Sequence, residues 1–251
     1  MTDQTVISFS NNGPANTGLQ QWDEIPAETL VSGSPVQRGH EYFSTAGGTL
    51  TAGVWDCTPM EEQFGDYSVN EFMIVLEGSI EIIDQHGTVE IFKAGESFVI
   101  PKGLPCTWRQ TEYAKKFYVI FDDPSDLNVP TDSLRPIRVD LQMALEPMGE
   151  QNPDLFISDA PDMNVGTIYK DQSDQYVVAI WDSPPMHRKP ANIARNELMH
   201  ILEGSGTITN ADGVVFSFAA GDTFMVPIGM GYEWNSTEYV KKVFCSFTPN
   251  T

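Results

Sequence analysis

Apolar and polar residues alternate in short runs along most of this chain. Thr49–Cys57 (TLTAGVWDC), Glu71–Asp84 (EFMIVLEGSIEIID), Thr88–Lys93 (TVEIFK), Ser97–Lys102 (SFVIPK) and Lys116–Phe121 (KFYVIF) are rich in Val, Ile, Phe and Tyr, residues that suit a pleated, half-buried surface. Between them stand Gln85-His86-Gly87 and Ala94-Gly95-Glu96, short breaks of the kind that close hairpins. Many short strands at regular spacing predict an all-β barrel or sandwich. Residues 122–166 interrupt the pattern with Pro124, Pro130 and Pro136, followed by DLQMALEP (Asp140–Pro147), which has room for one short helical turn. The strand pattern resumes at Tyr176–Asp182 (YVVAIWD) and continues through ELMHILEGSGTIT, VVFSF, TFMVP and KKVFCSF. Residues 1–35 are rich in Asn, Gly, Ser, Thr and Pro, with one apolar patch at Trp22–Leu30. They read as an irregular arm laid over the first domain, disordered at its tip.

The two strand-rich regions are copies of one another. Trp55–Phe121 lies on Trp181–Phe247 at a constant offset of 126 residues without a gap, and about 27 of roughly 67 positions are identical. NEFMIVLEGSIEI at Asn70–Ile82 returns as NELMHILEGSGTI at Asn196–Ile208. The 251 residues therefore suit two domains of equal size, 1–125 and 126–251, each with its preceding arm or linker. Function is to be sought inside the repeated unit.

Charge narrows the partners. Asp and Glu outnumber Lys and Arg 35 to 14, a formal net charge of −21, which repels a polyphosphate backbone and argues against a nucleic-acid partner. The excess itself is what a soluble surface would carry. No apolar run approaches the roughly 18 residues of a membrane span, and MTDQTVISFSNNG has no basic and apolar export pattern. A cytoplasmic protein without a membrane partner is expected. Cys57, Cys106 and Cys245 are odd in number and lack framework spacing, so free thiols are expected.

Each copy also carries Glu-x6-Gly (Glu71 to Gly78; Glu197 to Gly204) followed by Gly-x5-Pro-x-Gly (Gly95, Pro101, Gly103; Gly221, Pro227, Gly229). Together these resemble the two signature motifs of the cupin superfamily. The resemblance implies two tandem cupin barrels, the double-stranded β-helix or jelly roll, in one chain: a bicupin. The wider string, with VLEG, AGESFVIPKG, Trp108 and EYAKKFYVIF, is most similar to the subgroup that includes (S)-ureidoglycine aminohydrolase. Such a resemblance usually implies a divalent metal held by a His-x-His pair, the motif Glu and a further His. Here the pair positions read Phe64-Gly65-Asp66-Tyr67 and Pro190-Ala191-Asn192-Ile193, and the second-motif position is Cys106 in one copy and Tyr232 in the other. The aminohydrolase arrangement, with His in place of Glu71 and Glu197, is not matched either. The metal site reads as degenerate, and no cofactor is predicted. One carboxylate per barrel is too little to hold a transition metal.

Alternation along a strand points Glu71, Met73 and Val75 to one face, and Glu197, Met199 and Ile201 likewise, which sends His200 to the other. An inward carboxylate is desolvated and suits proton transfer. Against that stands a structural role, since Lys115-Lys116 and Lys241-Lys242 recur and alternation turns one lysine of each pair inward to a Glu. Cys106 has no neighbouring His to activate it. Trp108 and Trp234 read equally as walls of a pocket or as core. His187 aligns with Glu61, and reaches the barrel mouth only if its loop folds inward. His86 sits in a hairpin turn and His40 in the arm.

Three readings stay open. One is a binding module or metal-independent enzyme for a small polar metabolite, held by Glu71 or Glu197 with Trp108 or Trp234 and Cys106 or Tyr232. Another is a metalloenzyme resembling the ureidoglycine aminohydrolases, using Glu197, His187 and Tyr232, or Glu71, Asp66 and Cys106. Its divalent ion would be manganese, iron, nickel or zinc, with oxygen-rich ligand sets favouring manganese or magnesium. In the last, one barrel is architectural and the chain is a dimerisation scaffold. The resemblance itself implies a homodimer joined through sheet edges.

Overall fold

The computed structural model of the chain describes residues 5–123 and 130–250. Regular structure is almost entirely β, with 3-10 turns at Pro14–Asn16, Ala27–Thr29, Thr131–Ser133 and Pro153–Leu155. No described helix is long and apolar enough to cross a membrane. The chain divides into two compact units, Phe9–Val139, and Met1–Ser8 with Asp140–Thr251. The expected division between 125 and 126 lies outside the described residues, as do Pro124 and the N-terminal tip expected to be disordered. Backbone pairing sets where the units hand over. Ile137 and Arg138 pair with Val99 and Phe98 and so stay with the first barrel, whereas Ile7 and Ser8 pair with Met225 and Phe224 of the second.

Each unit is a pair of sheets. In the first, seven strands run in the order Ile137–Arg138, Ser97–Ile100, Asn70–Glu77, Ala114–Phe121, Leu50–Cys57, Gln37–Ser44, Gln20–Gln21. The opposing sheet is built on Val89–Lys93, Ser79–Asp84, Pro105–Gln110, Met60–Glu62 and Leu30–Gly33. The second unit repeats this order: Asn196–Glu203 lies between Thr223–Val226 and Val240–Phe247, and Ser205–Thr209 lies between Val215–Ala219 and Gly231–Ser236. The inward faces form the cores. Met73, Val75, Ile82, Phe98, Trp108 and Tyr118 are among the residues that fill the first, and Met199, Ile201, Ile208, Phe224, Trp234 and Phe244 among those that fill the second. These are the alternating positions of the sequence pattern.

The structure extends the repeat beyond the aligned strings. Gln20–Gln21 and the turn Ala27–Thr29 have counterparts in Glu146–Pro147 and Pro153–Leu155 at the same offset. The arm expected to be irregular thus contributes Gln20–Gln21 and Leu30–Gly33 to the two sheets of the first barrel. The segment 140–147 forms no helical turn of its own. Asp140 takes the backbone N–H of Gln142 on its carboxylate and that of Met143 on its carbonyl, and Glu146–Pro147 then joins the sheet. Asp favours such a local turn over a helix because its side chain competes for the backbone donors.

Glycine is required at the corner that splits each long apolar run into two strands. Gly78 and Gly204 have φ of 70° and 82°, and a Cβ would come 1.9 and 2.0 Å from the carbonyl oxygens of Tyr113 and Tyr239. Gly78→Ala and Gly204→Ala should therefore each destabilise by more than about 1 kcal/mol. Gly65→Ala, where a Cβ meets nothing within 4 Å, should change stability by less than about 0.5 kcal/mol. Urea unfolding of the three variants checks this; equal losses would show that the corner is not steric in origin.

Candidate functional site

A buried ion pair stands at the centre of each barrel. Lys116 lies opposite Val75 across the sheet, four residues from Glu71, a separation of roughly 13 Å along a strand. The two side chains lean toward each other over Met73, midway between them. Lys116 Nζ is 2.7 Å from Glu71 Oε1 and 3.2 Å from Met73 Sδ. Its other approaches are the faces of Trp55 and Trp108, at 5.0 and 4.5 Å from the ring centroids. The second barrel repeats the arrangement: Lys242 Nζ is 2.6 Å from Glu197 Oε1 and 3.2 Å from Met199 Sδ, with Trp181 at 5.0 Å and Trp234 at 5.5 Å.

The lysine reaches this position because the glutamate strand carries an irregularity. Lys115 faces Glu77 while the next residue, Lys116, faces Val75, and the same shift separates Lys241 from Lys242. One extra residue, Leu76 or Leu202, is accommodated on the glutamate strand as a bulge. Lys115 turns outward to Glu77 at 2.8 Å, and Lys116 turns inward. The Glu-Lys pairing suggested by the doubled lysines is thus present in both copies, and a lysine buried to this degree requires it.

The two sites part company at the second carboxylate oxygen. Tyr67 donates its hydroxyl to Glu71 Oε2, and burial together with the adjacent Glu71 charge holds the Tyr67 pKa far above the ordinary phenol value. A neutral donor completes the first site. In the second, Arg195 Nε lies 2.5 Å from Glu197 Oε2. Burial acts most strongly on Glu197 and would raise its pKa, but the charges and hydrogen bonds of Lys242 and Arg195 together outweigh it and hold the pKa below the usual carboxylate value. Lys242 moves down as well, through burial and through Arg195 and Arg188, against the pull of Glu197. This is an excess of cations around one anion.

The surrounding space differs too. A cavity of about 520 Å³ in the second barrel is lined by Glu197, Lys242, Arg195, Arg188, Tyr232 and Trp181, with Met148 and Leu155 from the arm at its side. In the first barrel Trp22 stands where the second has Met148, and the cavity, which touches Glu71, Lys116, Trp55, Tyr118 and Glu41, is about 340 Å³. Trp22 packs edge-on against Tyr118, 6.4 Å between centroids.

The other expected site residues are placed as follows. Trp108 and Trp234 are buried behind the lysines, each edge-on to the partner Trp55 or Trp181. They belong to the core, while Trp55 and Trp181 face the cavities. Cys106 is buried, and burial, with Glu62 and Asp66 nearby, pushes its thiol up to about 12, so it stays protonated and unreactive near neutral pH. All three cysteines are free thiols. Tyr232 lines the second cavity, its pKa raised mainly by burial. His187 is bonded to Glu233 at 2.6 Å on the facing strand. Asp66 is exposed, and His200 packs on the outward face with its Nδ1 2.8 Å from Thr223 Oγ1.

Neither expected metal set is assembled. Among the described residues no three His, Cys, Asp or Glu side chains form a group able to hold a metal ion. The glutamate that would be the common ligand has both oxygens bonded, to Lys116 and Tyr67 or to Lys242 and Arg195. A divalent cation would have to displace a cation already in place. The residues do not fit the metal that the resemblance implies.

Sequence reasoning passed over Tyr67, Arg188 and Arg195. Tyr67 falls within the string inspected only for histidines, and Arg195 lies in the bend two residues before Glu197, just ahead of the strand Asn196–Glu203. Arg188 aligns with Glu62, a reversal of charge between copies.

Two measurements test these assignments. Lys116→Met strands Glu71 with a neutral donor, while Lys242→Met leaves Glu197 beside Arg195. The first should cost roughly 3–5 kcal/mol, the second clearly less, and Glu71→Gln should restore much of the loss in the first. Equal losses in urea unfolding would mean that Arg195 does not compensate. His200 provides the pH test. Burial lowers its pKa against a smaller opposing pull from Asp222, so the unfolded chain takes the proton first and the stability present above about pH 6.5 is lost as pH falls. Wild type should lose melting temperature relative to His200→Gln between pH 7 and 5; parallel curves would refute the shift.

Among proteins of known structure, the chain is similar to a protein of unknown function of the DUF861 family from Pseudomonas syringae pv. tomato str. DC3000. The identity is 21%, the coverage 97% of this chain and 99% of that one, and the TM-score 0.77. A cupin 2 conserved barrel domain protein from Leptotrichia buccalis matches at 13% identity over 91% and 98% of the two chains, with a TM-score of 0.56. Protein Ylba from E. coli, also of the DUF861 family, matches at 12% over 92% and 89%, with a TM-score of 0.53. These likenesses concern the fold. Comparison with curated proteins gives no match. The model of the EutQ-like cupin domain matches twice, over residues 44–118 and 170–244, so the two barrels built around the Glu-Lys pairs place this chain in the EutQ-like cupin family as a bicupin.

Proposed function

We propose that this bicupin binds a small polar metabolite in its second barrel, as a binding module or metal-independent enzyme. The supporting observation is the cavity of about 520 Å³ that reaches the buried Glu197-Lys242 pair and the exposed Arg195 beside it. Its size is that of small-molecule sites, and its wall is largely apolar with a few convergent polar groups. In the first barrel Tyr67 and Trp22 supply from within the chain what a ligand would supply, a donor to the carboxylate and a filling for the mouth. That barrel serves architecture.

The alternative, a metal-dependent enzyme of the ureidoglycine aminohydrolase type, needs ligands that these barrels do not offer. His187 is engaged with Glu233, and Glu197 is already coordinated by two cationic side chains. The proposed site works through charge and hydrogen bonding alone. Lys242 and Arg195 fix the Glu197 carboxylate, whose depressed pKa keeps it an acceptor at neutral pH. Tyr232 remains a neutral hydroxyl donor on the same wall.

Elemental mass spectrometry of untagged protein, purified without chelators and then incubated with manganese, iron, nickel and zinc, should find well below one equivalent of any of them. A metabolite screen by thermal shift should find ligands that stabilise by about 2.7 kcal/mol at a hundredfold excess over Kd. Ala194→Trp, which fills the second cavity, should remove that shift. A stoichiometric metal lost on Glu197→Gln would sink the proposal, as would ligand shifts that persist in Ala194→Trp.

A further inference from the structure

The second cavity holds an unbalanced charge. Its charged lining is Arg188, Arg195 and Lys242 against Glu197, beside the neutral Tyr232, a net charge of +2 inside a chain whose own net charge is −21. Lys242 and Arg195 share the Glu197 carboxylate. Arg188 has no such partner: its Nε is buried without a hydrogen bond, and among the described residues no carboxylate pairs with it. The acidic residue on the facing strand, Glu233, is taken by His187. A buried guanidinium donor left open in this way costs free energy.

Arg188 is not free to turn into solvent as a whole. Its backbone N–H donates to the Trp234 carbonyl at 2.8 Å, and it forms an antiparallel bridge with Phe156, so its Cα is fixed on the cavity wall between two elements. The same position in the first copy is Glu62, and the first cavity is lined by Glu41, Glu71 and Lys116. The two barrels share a frame and carry opposite charge around it. Beyond the cations, the second cavity is lined by Met148, Met163, Met186, Met199, Trp181 and Phe244, flexible and aromatic surfaces that accept an apolar body.

Resting on the reading of the second barrel as a metabolite pocket, we infer that its ligand is a small carboxylic acid with an apolar or aromatic body, the carboxylate on Arg188 and the body against the methionines and Trp181. The planar guanidinium fork matches a carboxylate with two parallel hydrogen bonds. One open guanidinium calls for one such group.

Isothermal titration of the full chain with phenylacetate and hexanoate, each against its neutral amide, tests the inference, with phenyl phosphate as a second anion. The acids should bind at least tenfold more tightly than the amides and than phenyl phosphate. Arg188→Gln should lower acid affinity tenfold or more and leave amide affinity unchanged. It should also keep or raise the melting temperature of the ligand-free protein, because it removes an open buried donor and one of the excess cations of the cavity, whereas a structural arginine would lower it. Amides binding as well as acids, tighter binding of the phosphate, or acid affinity unmoved by Arg188→Gln would overturn the carboxylate and leave the pocket standing. No binding of acid or amide at millimolar concentration would overturn both.

Discussion

A lysine ammonium set inside an all-β barrel is the constraint on which the rest of each domain depends. Removed from water, it must recover its solvation from fixed groups. Each barrel supplies the same set: a carboxylate oxygen, a methionine sulfur and two tryptophan faces. Those groups come from three different stretches of chain, and each must be held in register. The bulge that turns Lys116 or Lys242 inward, the alternation that turns Glu and Met to the same face, and the edge-on tryptophan pair are parts of one solution. The glycine corner at Gly78 or Gly204 ends the glutamate strand directly after the bulge and starts the strand that faces it.

With that frame common to both halves, the differences lie in what completes it. The first barrel closes its glutamate with the Tyr67 hydroxyl and its mouth with Trp22, so its polar groups are satisfied from within. The second uses Arg195, which adds a charge where Tyr67 adds none, and then places Arg188 on the wall with nothing opposite it. A duplicated domain can vary the lining while the paired core carries the stability. Here one copy has a narrower cavity of acidic balance, the other a wider and cationic one.

The fold was legible because its determinants are local and doubled. The motif glycines and prolines, the alternating runs and the gapless repeat pointed to two cupin barrels, and period two placed Glu71 with Met73 and Val75, and Glu197 with Met199 and Ile201, on one face. The arm was less legible. Its strands at Gln20–Gln21 and Glu146–Pro147 are two residues long and held by backbone pairing, so their side chains carry little pattern. The cavity residues were hidden for another reason. Arg188 sits in a two-residue strand's wake, and its importance lies in the absence of a partner, which no sequence displays. The aligned change from Glu62 to Arg188 was a visible signal, as was Arg195 two positions before Glu197; both were overshadowed by the search for histidines.

The charge of the second cavity also bears on why the metal ligands of the wider fold family are missing here. A divalent ion and a lysine-arginine cluster compete for the same carboxylate, and at these separations like charges repel by several kcal/mol unless a further anion intervenes. Glu197 can therefore serve a metal or serve Lys242 and Arg195, and the geometry has it serving the latter. An anion entering the cavity meets the opposite situation, since it offsets the excess positive charge and satisfies the open guanidinium. Arg188, Arg195 and Lys242 thus set positive charge in the wall of a largely apolar pocket from the chain's own side chains.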